Sequence, residues 1–420
     1  MKSKIYLLLI ALLCTAATGR AATLLVKEYG VNNTYATIQA AINASVNNDT
    51  ILVYDKPSGQ LWVENITIDK NLWIANPIDT LRFKLQGNIT IVPKSGMQLF
   101  MVGYNLVGGG SINFSTTGAT ATASNRATIL LSDAIVTGTV DLQADWLDVR
   151  VVYSNITGQI SLRHGIVAGN LMSGGLLITQ ESSVSNGNDQ DSVIIIGNKG
   201  TWCSIDTRGG VLVSNNYFRF DTQTNSWNVL GPNHALGLFN HNSNINIKAV
   251  ISNNYIQNFG SCSNSSSFAL VPRFYSNTSI INNVIWTSNQ CAGSNYGIHD
   301  PGGSSGTPFI SHNLIVSSNT INISVNNELN YYNIGPGAFD TYGRAAAGNT
   351  NCINKGLYLG QYYDIDLTRN DLGTYGGPFS IDNFIGASTG KGRVFWIDVP
   401  HQLSNINQLI NINAGAASKF

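Results

Sequence analysis

Charge is what this sequence has least of. Asp, Glu, Lys and Arg make up 11% of its 420 residues, against about a quarter in an ordinary globular chain. Basic and acidic residues balance at 23 each. A nucleic-acid binder would carry a basic excess, so that class is excluded. An acidic solvating chain is excluded by the same balance. Cysteine is also scarce, at five, and no pair has the C-x-x-C spacing of a zinc site. Asn-Gly and Asp-Gly hairpin signals are nearly missing, Asn186-Gly187 being one. That argues against a sandwich built from hairpins. Beyond one short run near the N-terminus there is no long apolar segment, so no transmembrane helix is expected.

What the chain does have is apolar residues, at 43%, together with 42 Gly and abundant Asn. The first is enough for a real core. Gly and Asn tolerate left-handed backbone and so imply many tight turns, which favours an all-β protein. The length allows two or three domains, although elongated all-β folds often run longer as one.

Residues 1–22 read as an export signal. Lys2 and Lys4 precede the apolar run 5–13, and small residues follow through Ala22. The run is too short to span a bilayer, which needs about 20 apolar residues. Cleavage is expected after Gly19 or Ala22. Cys14 sits where a lipidated cysteine would, but Leu13 is bulky where a small residue is required. The expected location is therefore secreted or cell-surface. Four cysteines remain after cleavage, Cys203, Cys262, Cys291 and Cys352. An even number in an oxidising compartment favours disulfides.

A repeat runs through the asparagines. The form apolar-x-x-Asn-apolar recurs as VAGNL (167–171), VSNNYF (213–218), ISNNYI (251–256), IINNVI (280–285) and ISHNLI (310–315), with IIGNK (195–199) a weaker copy. VENI (63–66), QGNI (86–89) and YSNI (153–156) look related. The register residues are then Asn65, Asn88, Asn155, Asn170, Asn198, Asn216, Asn254, Asn283 and Asn313. Asn254 to Asn283 is 29 residues, Asn283 to Asn313 is 30, and Asn65 to Asn88 is 23. Such a period, with Asn at a corner, predicts a parallel β-solenoid. One coil cannot bury its apolar side chains alone, so coils stack at the strand spacing of about 4.8 Å. Stacked Asn side chains then hydrogen-bond as a ladder. Phe218, Ile256, Ile285 and Ile315 are expected to form one core column, and Val213, Ile251, Ile280 and Ile310 another. The 38 residues from Asn216 to Asn254 are expected to hold insertions, not a missing coil. The same register places Cys262 and Cys291 each eight residues past a stacked Asn. Adjacent coils would bring their Cα atoms within the ~4.4–6.8 Å that a disulfide accepts, so a bridge between them is expected. Free thiols, or pairing with Cys203 or Cys352, are the alternatives.

The ends carry a resemblance. Residues 35–53, YATIQAAINASVNNDTILV, place Ile38, Ala41, Ile42 and Val46 at helical spacing behind a Thr37 or Thr34 cap, with a strand following. ENITIDKNLWI (64–74) then gives a first full coil. This order resembles the start of right-handed parallel β-helix proteins with the pectin-lyase-like fold, in which a short helix covers the open end. CINKG (352–356) and DIDLTRNDLGTYGGP (364–378) resemble the closing segment of secreted bacterial β-helix proteins, especially those of the Bacteroidota. The sequence departs from the pattern after Asp55, where KPSGQLW lengthens the first corner. The resemblance implies a single right-handed parallel β-helix over residues 23–380 with a short N-terminal capping helix. Residues 381–420 change texture and are expected to be a C-terminal cover or the stub of a sorting domain. The fold hosts lyases, hydrolases and adhesins, so it does not name an activity.

Chemistry is hard to find. The Gly-His-Gly and Arg-x-Lys segments of hydrolases with this fold do not occur. Asp189 and Asp191 are the densest acidic stretch in the helix body and alternate by two, but they read best as a polar loop. Arg208 and Arg273 have no acidic cluster near them in sequence and read as surface residues. His234, His241, His299 and His312 are the acid–base candidates. His312 aligns with Asn215, Asn253 and Asn282 and so reads as a ladder position. His299-Asp300 and His234 fall in the longest insertions, where function concentrates. Asp364, Asp366, Thr368 and Asn370 alternate as the oxygen ligands of a Ca²⁺ loop do, but lack its Gly and final Glu; a closing strand with outward polar residues explains them equally. No catalytic set, cofactor or metal ligand is assigned, and Ca²⁺ is the one ion with any support. The reading is a glycan-binding or structural and adhesive surface protein, monomeric, with Trp202, Trp227 and Trp286 as sugar-stacking candidates. A polysaccharide lyase or glycoside hydrolase of the same fold is the alternative, and the sequence leaves catalysis open.

Overall fold

The computed structural model describes residues 21–57, 59–78, 81–179, 192–220, 234–240, 248–259, 267–274, 277–287, 295–300, 308–317, 319–321, 326–328, 330–332, 338–364, 366–384, 393–398 and 413–417. It is a parallel β-helix. Each coil contributes two strands to a 23-stranded sheet and one to an 11-stranded sheet, which is why the first has about twice the strands of the second. We call these the long and the short sheet. In one typical coil the strands are Cys203–Thr207 in the short sheet, then Val211–Ser214 and Tyr217–Phe220 in the long one. The expected core columns are present. Val213 pairs with Ile251, Ile251 with Ile280 and Ile280 with Ile310. Phe218, Ile256, Ile285 and Ile315 form the second column in the same way. All eight side chains are buried.

In nine successive coils one residue within or between the long-sheet strands takes left-handed backbone. The column reads Gly103, Asp133, Tyr153, Gly169, Gly197, Asn215, Asn253, Asn282 and His312, all with φ between 50° and 69°. Gly and Asn pay least for that conformation, which explains most of the column. From Gly169 onward the residue after it is the ladder Asn. The backbone N–H of Asn216 donates to Asn254 Oδ1 at 2.9 Å, Asn254 to Asn283 at 2.9 Å and Asn283 to Asn313 at 3.0 Å. Each Nδ2 donates to the same oxygen, so every Asn joins two coils. The ladder runs from Asn170 through Asn198 and Asn313 to Asn330. Asn216 bonds Asn254 directly across 38 residues, so that stretch is one coil with insertions. The shortest ladder step is 16 residues, from Ser154 to Asn170.

Three of the nine register asparagines belong elsewhere. Asn155 is one position late: it pairs with Leu171, and Ser154 takes the ladder site. Asn65 and Asn88 form a second column at the corner that leads into the short sheet, with Asn88 N–H on Asn65 Oδ1 and Ser111 N–H on Asn88 Oδ1. Both corners place an Asn oxygen against a neighbouring coil's N–H, the preceding coil's in the ladder and the following coil's in the second column, so the same residue type serves two unrelated columns.

The capping helix is Ile38–Ala44, with Thr37 accepting from the Ala40 N–H. Ile38, Ala41 and Ile42 are buried, whereas Val46 lies past the helix and is 61% exposed, so the helical spacing ends one turn earlier than expected. The first coil holds both helix ends. Glu64 accepts from the Ile38 and Gln39 N–H groups, and Lys70 Nζ donates to the carbonyls of Ile42, Asn43 and Ser45. Opposite charges thus meet opposite ends of the helix. The Gln39 amide donates to Thr67 O and accepts from Thr67 N–H, which closes the first edge of the short sheet. Glu64→Ala is expected to lower stability by about 1–2 kcal/mol, because two N–H groups lose their acceptor. A denaturant midpoint equal to wild type would show that the contact contributes nothing. At the lengthened first corner, Trp62 Nε1 donates to Tyr54 O and Lys56 sits 4.7 Å over the Trp62 ring.

Residues 338–384 do not close the far end as a final coil. They lie along the side of the helix over the left-handed column, with turns where a closing strand over 364–370 was expected. Asn215 and Asn253 donate to their backbone, and the ring of Phe384 stacks on Tyr153 at 6.4 Å. The strands Arg393–Asp398 and Asn413–Ala417 form an antiparallel pair. Cys203 and Cys352 are buried free thiols, so neither partners another cysteine. Cys262 and Cys291 lie outside the described residues. The register on which their bridge rests is present, since Asn258 pairs with Thr287 four residues before each.

Candidate functional site

The outer face of the long sheet carries an apolar stripe that the repeat did not announce. In-register pairing stacks Trp73, Phe100, Leu130, Arg150, Ile166, Ile194, Leu212, Val250, Ser279 and Phe309 in one column. Trp73 is 42% exposed and the others are half-buried. These residues alternate with core positions along each strand, so their side chains face away from the core. At about 4.8 Å per coil the column is some 40 Å long. Its single charge, Arg150, is paired with Asp148 at 2.9 Å. Trp73 and Phe100 form its aromatic end, with ring centroids 5.5 Å apart. A largely apolar outer column of this kind is a candidate contact site. The sequence signal was there: each repeat has a second apolar parity, such as Leu212 between Val211 and Val213.

On one side the stripe is bounded by residues 338–384. Two positions along each strand, Ala168, Ile196, Ser214, Ser252, Ile281 and Ser311 are buried on the same outer face. The segment and the helix share a second apolar cluster, made of Tyr217, Tyr255, Val284 and Leu314 from the helix and Cys352, Leu372 and Ile381 from the segment. Burial there pushes the Cys352 thiol up to about 12, which keeps it protonated and unreactive at neutral pH.

The candidates named from sequence scatter. His299 and His234 converge on one aromatic residue. Phe268 pairs in register with His234 and stacks on His299 at 4.0 Å, nearly parallel. Tyr296 completes the group, 5.1 Å from His299. His312 is the left-handed residue of its coil, buried, with Nδ1 2.7 Å from Ser311 Oγ. Arg208 follows the strand Cys203–Thr207 and is partly exposed, and Arg273 lies in the strand Ser267–Phe274. Trp202 is 2% exposed and fills the space left by Gly175, so it is a core residue and not a sugar platform. Trp286 is half-exposed and meets Phe259 edge-on at 4.8 Å. Asp189, Asp191, Trp227 and His241 lie outside the described residues.

The alternating oxygens near the C-terminus are engaged locally. Asp364 accepts from the Gly377 and Asp371 N–H groups, and Asp366 from Thr368. Asn370 is buried and donates to Asn253 and to Tyr362 O. Burial raises Asp364 to about 6, and the Asp371 and Asp366 carboxylates push the same way.

No known protein family matches this sequence, and no curated protein does. Among the described residues no helix is long and apolar enough to cross a membrane.

Proposed function

We propose that this chain is a secreted or surface-attached relative of the pectin-lyase-like β-helices that holds an extended glycan against the outer stripe of its long sheet without cleaving it. The stripe carries this reading: a largely apolar outer column with one paired charge that spans ten coils and begins with exposed Trp73 beside Phe100. Aromatic faces stack on the apolar faces of sugars, and the neighbouring column of Gln98 and Thr128 offers hydrogen bonds at the same end. The reading of residues 1–22 as an export signal supports a location where glycans are met.

An array of neutral and acidic polysaccharides tests the reading. Binding is expected, and the pair Trp73→Ala and Phe100→Ala is expected to weaken it at least tenfold, since each ring contributes on the order of 1 kcal/mol. Binding that ignores both substitutions would remove the stripe from the site. The grouping of His234, Phe268, Tyr296 and His299 favours the second reading, a lyase or hydrolase. Assays for reducing ends and unsaturated products are expected to stay at background. Turnover abolished by His299→Ala would reverse the conclusion.

A further inference from the structure

We propose that residues 338–384 are a latch that leaves the β-helix as a unit, uncovers a second apolar face, and docks more tightly in mild acid than at neutral pH. The geometry separates latch from scaffold. The cluster under the latch is distinct from the main core, and its helix side is a column of Tyr217, Tyr255, Val284 and Leu314 on the outer surface. The ladder beneath is satisfied by its own coils, so release leaves it whole.

The latch is held by the left-handed column. Asn215 Nδ2 donates to Thr374 O at 2.9 Å and Gly376 O at 2.6 Å. Asn253 Nδ2 donates to Asn370 Oδ1 at 2.7 Å and Asp371 O at 2.9 Å. Asn282 accepts from Leu357 N–H at 2.7 Å through its side chain and from Gly373 N–H at 2.9 Å through its carbonyl. One coil earlier the column residue is Gly197, where the ring of Phe384 occupies the space of a side chain. The column therefore changes from Gly to Asn where latch backbone has to be bonded. One cation–ring contact adds to the seam, with Lys199 4.5 Å over Tyr342, while Arg344 lies 4.8 Å over Tyr375 within the latch.

The pH dependence comes from carboxylates folded into the latch. Asp364 accepts from Gly377 N–H at 2.6 Å and Asp371 N–H at 3.2 Å, and Asp371 accepts from Asn354 N–H at 2.7 Å. Asp366 is a third carboxylate nearby, and Arg344 acts on Asp371 as an opposing cation. The helix presents the neutral amides of Asn253 and Asn282 to this part of the latch. Burial raises Asp364 from 3.8 to about 6 and raises Asp371 as well. The docked latch therefore binds a proton more readily than the released one. This stabilisation is complete below the ordinary value of 3.8 and is lost as pH rises through about 6. Because Asp364 is partly exposed, solvent screening reduces the effect, and because pH 5 lies above the ordinary value of 3.8, a change of about two- to threefold in the opening equilibrium is expected between pH 5 and pH 8.

Hydrogen exchange on the full chain, corrected for intrinsic rates, tests the latch at about pH 5 and about pH 8. The Leu357 and Gly373 amides, which donate to Asn282 across the seam, are expected to exchange together, about two- to threefold more readily at the higher pH. The ladder amides of Asn216, Asn254 and Asn283 should stay protected throughout. Asp364→Asn should remove most of the pH difference and leave the smaller part that Asp371 carries. Latch and ladder amides exchanging in concert would show a single unfolding unit and overturn the proposal. So would a pH difference that Asp364→Asn leaves undiminished. Should that variant fail to fold, the wild-type comparison of latch against ladder still decides whether the latch opens alone.

Discussion

Asn254→Ala is expected to lower stability by roughly 4 kcal/mol, the sum of several buried polar groups left without partners at about 1–3 kcal/mol each. Asn254 Oδ1 accepts from both the N–H and the Nδ2 of Asn216. Its own Nδ2 donates to Val213 O, Ser252 O and Asn283 Oδ1. The site is fully buried, so water cannot take over these bonds without opening the turn. Asn254→Asp should be nearly as harmful, since it keeps the acceptor, loses the donor and buries a charge. Asn65→Ala is the control. Asn65 accepts one N–H, from Asn88, and is exposed, so water replaces it and the cost should stay under about 1 kcal/mol. Urea midpoints for the three variants measure this. Equal losses at Asn254 and Asn65 would mean that the ladder's burial does not set its strength.

Gly165→Ala should be at least as damaging as the loss of a core side chain, on the order of 3–5 kcal/mol. Gly165 has φ of 128°, and a Cβ there would meet Val149 O at 2.0 Å. The obstacle is backbone from the preceding coil, with which Gly165 pairs in register, so no side-chain rotation relieves it. L residues rarely adopt that φ in any case. Gly109→Ala separates strain from clash: φ is 79°, but nothing lies within 4 Å of its Cβ, so it should cost only about 1–2 kcal/mol. Thermal melts of both variants decide the matter. Comparable losses would show that backbone strain, not the close approach of coils, controls the position.

Much of the scaffold was legible because a solenoid writes its contacts locally. Isoleucine at 251, 280 and 310 is buried for the same reason in each coil, and the ladder Asn follows three residues later each time. The capping helix was legible from Ile38, Ala41 and Ile42, but not its end, since Val46 has apolar spacing without the backbone to match. Trp202 could be read as a sugar platform or as core packing, because nothing in sequence shows that Gly175 makes room for it. The stripe was hidden for the opposite reason: Ile166, Ile194 and Leu212 sit among core residues of the same kind, and only the pleat tells them apart.

By itself the sequence determined the class of fold, the existence of an Asn column and the identity of the inner columns, because each of these is required coil by coil from residues close in the chain. Only the tertiary structure decided which asparagines share a column, where residues 338–384 lie, and which apolar parity is left outside. Those depend on how coils with ladder steps as different as 16 and 38 residues align. Alignment is set by hydrogen bonds between coils, and spacing along the chain does not carry it.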